Sequence, residues 1–172
     1  MPSPVGHALA GLIVDSVFAQ RAPHAGHLLP LVAVASACAP DLDLILHPVF
    51  GPQYHRGVSH SVGAAALAGV AVYALARLCG AAGAAARLGL LACAGWLSHL
   101  VLDWLGSDSR APFGIMALWP FDRSYLVAPF PVFLDVGREL TWRTMGQNMV
   151  AAAWESVLLL PLLWLTRRRW SA

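Results

Sequence analysis

Residues 99–103 read His-Leu-Val-Leu-Asp within a run otherwise apolar from Leu88 to Leu102. An imidazole and a carboxylate four residues apart lie one turn above each other on the same face of a helix. Burying both in apolar surroundings is costly unless each finds a partner. Taken alone, His99 and Asp103 read as a buried hydrogen-bonded pair. Three further groups of the same chemistry recur along the chain, however. They are His7, the pair Asp41 and Asp43 in Ala-Pro-Asp-Leu-Asp, and His55 with His60 in His-Arg-Gly-Val-Ser-His-Ser. Together the four groups point to a metal ion as the missing partner.

Imidazole and carboxylate without thiolate suit Zn²⁺, with Mn²⁺ or Fe²⁺ as alternatives. His7, Asp41, Asp43, His55, His60, His99 and Asp103 exceed the needs of one tetrahedral ion. The excess points to two or more ions, as in enzymes that clamp a phosphoryl group. In a regular helix Asp41 and Asp43 diverge. After the break at Pro40 either both face the metals or one orients another ligand from behind. His60 is fixed by a helix start, whereas His55 sits in a looser loop. Arg56 suits a substrate phosphate or carboxylate, or else caps its loop or pairs with Asp41. Water on the metal is the expected nucleophile, with Asp103, Asp108 or Asp43 as base. Asp108 could also be a ligand, and its plainer reading is a solvated loop acid. Glu155, an acid inside an apolar helix, either completes the metal set or pairs with an arginine.

The elements that position these residues are apolar helices. The chain has 172 residues, enough for one domain (1–172) with a real core, and it is 58% hydrophobic but only 12% charged. A soluble domain carries about 25% charged residues. All 11 basic residues are arginine against 9 acids, with no basic stripe outside Arg167–Arg169, which excludes nucleic acid as a partner. Cys38, Cys79 and Cys93 lack Cys-x-x-Cys spacing and read as small core residues. Asp15 interrupts the first apolar run and no charge precedes it, which argues against a signal peptide.

The expected helices run from Pro4, after the cap Ser3, to about Ala19; from Leu28 to Ala37; from His60, capped by Ser59, to Cys79; from Ala85 to Leu105; and from Gln147 to Thr166. Gly80 and Gly83 mark a tight turn, and residues 106–146 read as irregular. The fold class is therefore all-α: a membrane-embedded bundle of about five helices with an irregular loop region before the last. Trp119-Pro-Phe121 suits an aromatic belt at the membrane interface, or a lid. If the helices alternate in direction, His7, Asp41, Asp43, His60, His99 and Asp103 all reach one end, side A. Arg21, Arg77, Arg87 and Arg167–Arg169 fall at the other, side B, with His24 and His27 as turn residues. Arginine density in the short side B segments places them in the cytoplasm.

In order, His7, Ala39–Asp43, His55–Ser61, Ser98–Asp103 and Gly114-Ile-Met-Ala-Leu-Trp-Pro-Phe121 resemble the LexA-binding, inner-membrane-associated metal-dependent hydrolase family, whose hydrolase label rests on such motifs. The likeness covers residues 1 to about 125. It implies an integral protein of the bacterial inner membrane acting as a hydrolase. More distantly, the layout is similar to zinc-dependent phospholipase C and P1 nuclease. By that analogy Asp41 or Asp43, His60, His99, Asp103 and His7 are zinc ligands. The resulting expectation is a metal-dependent hydrolase of a small-molecule or lipid phosphoester, or a related ester, near the bilayer surface. The alternatives are a non-enzymatic protein with a structural metal site, or a metal or proton transporter. A transporter should spread its polar residues through the membrane depth.

Overall fold

Ser3 caps the first helix as the sequence predicts, its Oγ accepting the Gly6 N–H at 3.4 Å. In the computed structural model, which describes residues 1–19, 28–45, 51 and 55–168, α1 spans Pro4–Ala19 and α2 Leu28–Cys38. They are followed by α3 (Val62–Leu78), α4 (Ala82–Trp104) and α5 (Trp142–Arg168). Among the described residues the fold is all-helical, with two isolated bridges, Gly106 to Phe133 and Ile115 to Leu126. Arg21, His24 and His27, read as side B turn residues, and Arg169 lie outside the described residues.

Among the described residues three stretches are long and apolar enough to cross a membrane: Leu28–Ile45, Ala82–Trp104 and Trp142–Arg168. Outward-facing residues such as Leu67, Val70, Leu90, Val157 and Leu162 are exposed. That apolar exterior suits lipid. Because lipid gives no hydrophobic drive between helices, contact depends on close packing of small residues. Helix α3 packs on α4, α2 on α1 and α4, and α5 on α1. A Cβ on Gly69 of α3 would lie 2.9 Å from the Gly89 carbonyl oxygen of α4, and one on Gly95 of α4 2.8 Å from the Ala33 carbonyl oxygen of α2. Only glycine permits either approach.

Several boundaries differ from the sequence reading for local reasons. The chain does not unwind at Pro40; it continues as a 3-10 turn, Ala39–Ile45, that carries both aspartates. Ser61, not Ser59, caps α3, in extended conformation and accepting the Ala64 N–H at 3.1 Å. His60 therefore ends the 3-10 turn Val58–His60 just outside the helix. Gly80 alone makes the α3–α4 turn, at φ +80°, and α4 begins three residues earlier than the glycine pair suggests. Helix α5 starts five residues before Gln147, because Thr141 caps it by accepting the Thr144 N–H at 3.2 Å.

The segment between α4 and α5 is irregular but pinned. Ser107 N–H donates to the Phe133 carbonyl at 2.9 Å, and Ile115 and Leu126 exchange two backbone bonds at 3.1 and 2.9 Å. The first N–H groups of a helix have no partner within it. Here Val62 and Gly63 N–H donate to the Ala117 and Trp119 carbonyls at 2.9 and 3.0 Å, fastening this segment over the start of α3. Phe121 is 89% exposed, as a belt residue would be, while the Trp119 ring packs against Gly63.

Candidate metal centre

Alternating helix directions bring the polar groups together. His7 lies in the first turns of α1, Asp41 in the 3-10 turn after α2, His60 just before α3, and His99 and Asp103 near the end of α4. His7, His60 and His99 are fully buried, Asp103 is 2% exposed, and solvent reaches the cluster at Asp41.

The geometry follows from what holds the far side of each ring. His99 Nδ1 lies 2.8 Å from the Ala37 carbonyl, which can only accept, so Nδ1 carries the proton and Nε2 presents its lone pair. His60 Nδ1 faces Ser59 Oγ at 3.0 Å and Asp43 Oδ2 at 3.3 Å, which leaves its Nε2 free in the same way. The two Nε2 atoms then approach to 3.1 Å. Two lone pairs at that distance require a cation or a proton between them. His7 stacks on His99 with ring centroids 3.8 Å apart.

The carboxylates divide between these rings. Asp103 turns Oδ1 to His7 Nε2 at 3.4 Å, and Oδ2 to His60 and His99 Nε2 at 3.2 and 3.5 Å. Asp41 repeats the pattern, with Oδ2 3.8 Å from His7 and Oδ1 3.6 and 3.7 Å from His60 and His99. His7 Nε2, Asp41 Oδ1 and both Asp103 oxygens are buried without a hydrogen-bond partner among the described residues. Orphaned buried atoms of this kind are rare, and here they share one centre. Burial disfavours a charge on His60, but Asp103, Asp41 and Asp43 outweigh it and hold the imidazole well above its ordinary value. The cluster demands positive charge, and its donor set fits divalent metal.

Asp43 and His55 form the outer layer. Asp43 accepts from His55 Nδ1 at 2.7 Å and from Ser59 Oγ at 2.5 Å, as well as facing His60. Burial pushes His55 below its ordinary value against the pull of Asp43, and its Nε2 points to Met1 Sδ at 3.0 Å. Trp96 Nε1 donates to the Ser59 carbonyl at 2.8 Å and ties this layer to α4.

Arg56 and Asp108 bond to each other outside the cluster, at 2.6 Å. Asp108 also accepts the Gly114 N–H at 2.6 Å, and Arg56 donates to the Pro112 carbonyl at 3.2 Å. Arg56 adopts φ +64°, a strained conformation for a residue with a side chain. Among the described residues Glu155 joins neither the cluster nor an arginine. It accepts the Ser3 N–H at 2.7 Å and the Ser3 hydroxyl, fixing the start of α1. Sequence reasoning missed Ser59, the Ala37 carbonyl and the link from Ser3 to Glu155. Ser59 meets Asp43 at a separation of 16 residues, Ala37 meets His99 at 62 and Ser3 meets Glu155 at 152, so spacing carries no trace of them.

No curated protein and no solved structure matches the chain, and neither comparison supports the likeness to phospholipase C and P1 nuclease. The family described as YdjM inner membrane protein matches residues 1–171, past the 125 or so that the motifs covered. With helices fit to span a bilayer, the chain belongs to the YdjM inner membrane protein family and is an integral protein of the bacterial inner membrane.

Proposed function

We propose that the cluster is a two-ion metal centre and that the protein is a membrane-bound hydrolase of a phosphoester or related ester. One observation carries the reading. Asp41 and Asp103 each direct one oxygen to His7 and the other to the His60–His99 pair. His7, Asp41 and Asp103 would hold one ion, and His60 and His99 with the same two carboxylates would hold the other. His7 with the two carboxylates gives three donors, one short of a tetrahedral set, so an ion held there would keep a position open as a catalytic site requires, whereas His60 and His99 with the same carboxylates would give four.

When bound, such ions supply Lewis acidity and a source of hydroxide at neutral pH. The chain's own residues do the rest. Ala37 and Asp43 fix the tautomers of His99 and His60, and Ser59 steadies Asp43. The apolar helices around the cluster exclude bulk water, and Asp41 marks the solvent side. Confinement of the donors to one end of the bundle supports a site over a transport pathway.

The test is a screen of phosphomonoesters, phosphodiesters, phospholipids and carboxylic esters with metal-loaded protein in detergent or lipid. Hydrolysis should appear with at least one class, vanish with chelator and return with Zn²⁺ or Mn²⁺. Bound metal with no hydrolysis of any class would leave a structural site as the better account.

A further inference from the structure

Beside the cluster lies a separate cavity of about 240 Å³, lined in part by His55, Arg56, Arg110, Asp135 and Arg138. Its floor is buried, with Arg56 5% and His55 2% exposed, while Arg110 and Arg138 form an exposed rim. The three guanidinium groups come from separate segments: the loop before α3, the stretch after α4, and the approach to α5. Two are already matched, Arg56 by Asp108 at 2.6 Å and Arg110 by Asp135 at a loose 3.9 Å. Arg138 has no carboxylate within ion-pair distance among the described residues; its Nη2 meets only the Met1 sulfur, at 3.3 Å. Burial, with the neighbouring Arg110 and Arg56, lowers its hold on its proton against the more distant pull of Asp41 and Asp43. Three guanidinium groups thus line a small space whose one lining carboxylate, Asp135, is shared with the Met1 ammonium at 3.3 Å.

We propose that this cavity seats the phosphate group of a phosphate ester. The inference rests on the hydrolase reading above and names its substrate class. A planar carboxylate satisfies one guanidinium fork, whereas a tetrahedral phosphate offers oxygens in several directions and so suits three converging arginines. The size decides how much of the substrate enters. Pockets for drug-sized ligands run to about 300–1,000 Å³, so this one takes a headgroup-sized piece and not a whole lipid. The link to the cluster is short: His55 lines the cavity and bonds to Asp43, which in turn faces His60.

Calorimetric titration of metal-loaded, full-length protein in neutral detergent tests the proposal, using phosphonates whose C–P bond resists hydrolysis. The probes are methylphosphonate, dodecylphosphonate and dodecanoate, which has a comparable chain on a carboxylate. Dodecylphosphonate should bind more tightly than dodecanoate, and Arg138→Gln should weaken it roughly tenfold or more. Arg138→Lys should lose less, and metal content should stay at the wild-type level in both variants. Among the described residues the thioether of Met1 is the one hydrogen-bond partner of Arg138, so its replacement breaks no ion pair there. Methylphosphonate binding as well as the long-chain probe identifies a soluble ester, and binding of the long-chain probe alone identifies a lipid headgroup; both uphold the cavity. Equal affinity for dodecanoate, or no effect of Arg138→Gln, overturns it. Failure of the hydrolase reading is separable: phosphonate binding that depends on Arg138, in a protein that hydrolyses nothing, retains the cavity and removes the enzyme.

Discussion

His60 sits between two kinds of carboxylate, and the difference is chemical. Its Nδ1 faces Asp43, whose oxygens are also engaged by His55 and Ser59, while its Nε2 faces Asp103, whose oxygens have no hydrogen-bond partner. Asp103→Asn should therefore remove most bound metal, because it takes away a donor shared by three rings. Asp43→Asn should keep the stoichiometry but weaken affinity about 10–100-fold, as loss of a ring-orienting partner does. Competition with a calibrated chelator separates the two, and equal losses would contradict the division. The sign of the pH dependence follows from His60. Asp103, Asp41 and Asp43 hold that ring protonated above its ordinary value despite burial, and a metal must displace the proton. Affinity should fall as pH drops from 8 to 6, measured with the same chelator; a flat profile would place His60 outside the ligand set. That His7, Asp41, His60, His99 and Asp103 converge was legible from the sequence, because each lies at a helix end on one side. Which aspartate does what was not, since Asp41 and Asp43 share a seven-residue 3-10 turn whose side-chain directions no helical period describes.

At the scale of elements, glycine contacts set helix positions, and two of them should have different consequences. Gly69 brings α3 against α4 away from the cluster, whereas Gly95 brings α4 against α2, one turn before His99 meets Ala37. Gly69→Val and Gly95→Val should each cost about 1–3 kcal/mol by overpacking, seen as a lower melting temperature in detergent. Only Gly95→Val should also reduce bound metal; equal metal loss in both would show that α4 is not positioned this way. A second positioning contact joins α5 to α1. Glu155→Ala leaves the buried Ser3 N–H unmatched, an effect of about 1–3 kcal/mol. It should weaken metal binding through His7, and unchanged stability would contradict the cap. Helix order and type were readable from apolar runs between glycine and proline breaks. The early start of α5 was not, because a single threonine cap before Trp142 is a weak mark in a segment rich in aromatic and charged residues.

At the scale of the molecule, the helices bring His7, His99 and Asp103 to one end, while Arg77, Arg87, Arg167 and Arg168 crowd the short segments at the other and Arg56, Arg110 and Arg138 lie in the longer loops beside the cluster. Arg77, Arg87, Arg167 and Arg168 lie at the end opposite the cluster, where Arg87 caps α1 by donating to the Phe18 carbonyl at 2.8 Å. Basic residues favour the cytoplasmic side, so the cluster should face the periplasm. The exposed Cys79, at the arginine end of α3, offers a direct check in a chain with Cys38 and Cys93 changed to serine. In intact cells it should resist a membrane-impermeant thiol reagent and react after permeabilisation; labelling in intact cells would reverse the orientation. Alternating helix direction was enough to anticipate the convergence, while the arginine cavity depends on a loop fold that no periodicity encodes. The central claim is the two-ion centre, and its most direct measurement is metal content per chain in detergent-purified wild type, His7→Ala and His60→Ala/His99→Ala. The account expects about two ions in wild type, about one in His7→Ala, and a similar loss in the double variant, with Zn²⁺, Mn²⁺ or Fe²⁺ as the ion. Wild-type protein that remains metal-free after incubation with these ions, or carries equal metal in all three forms, would contradict it.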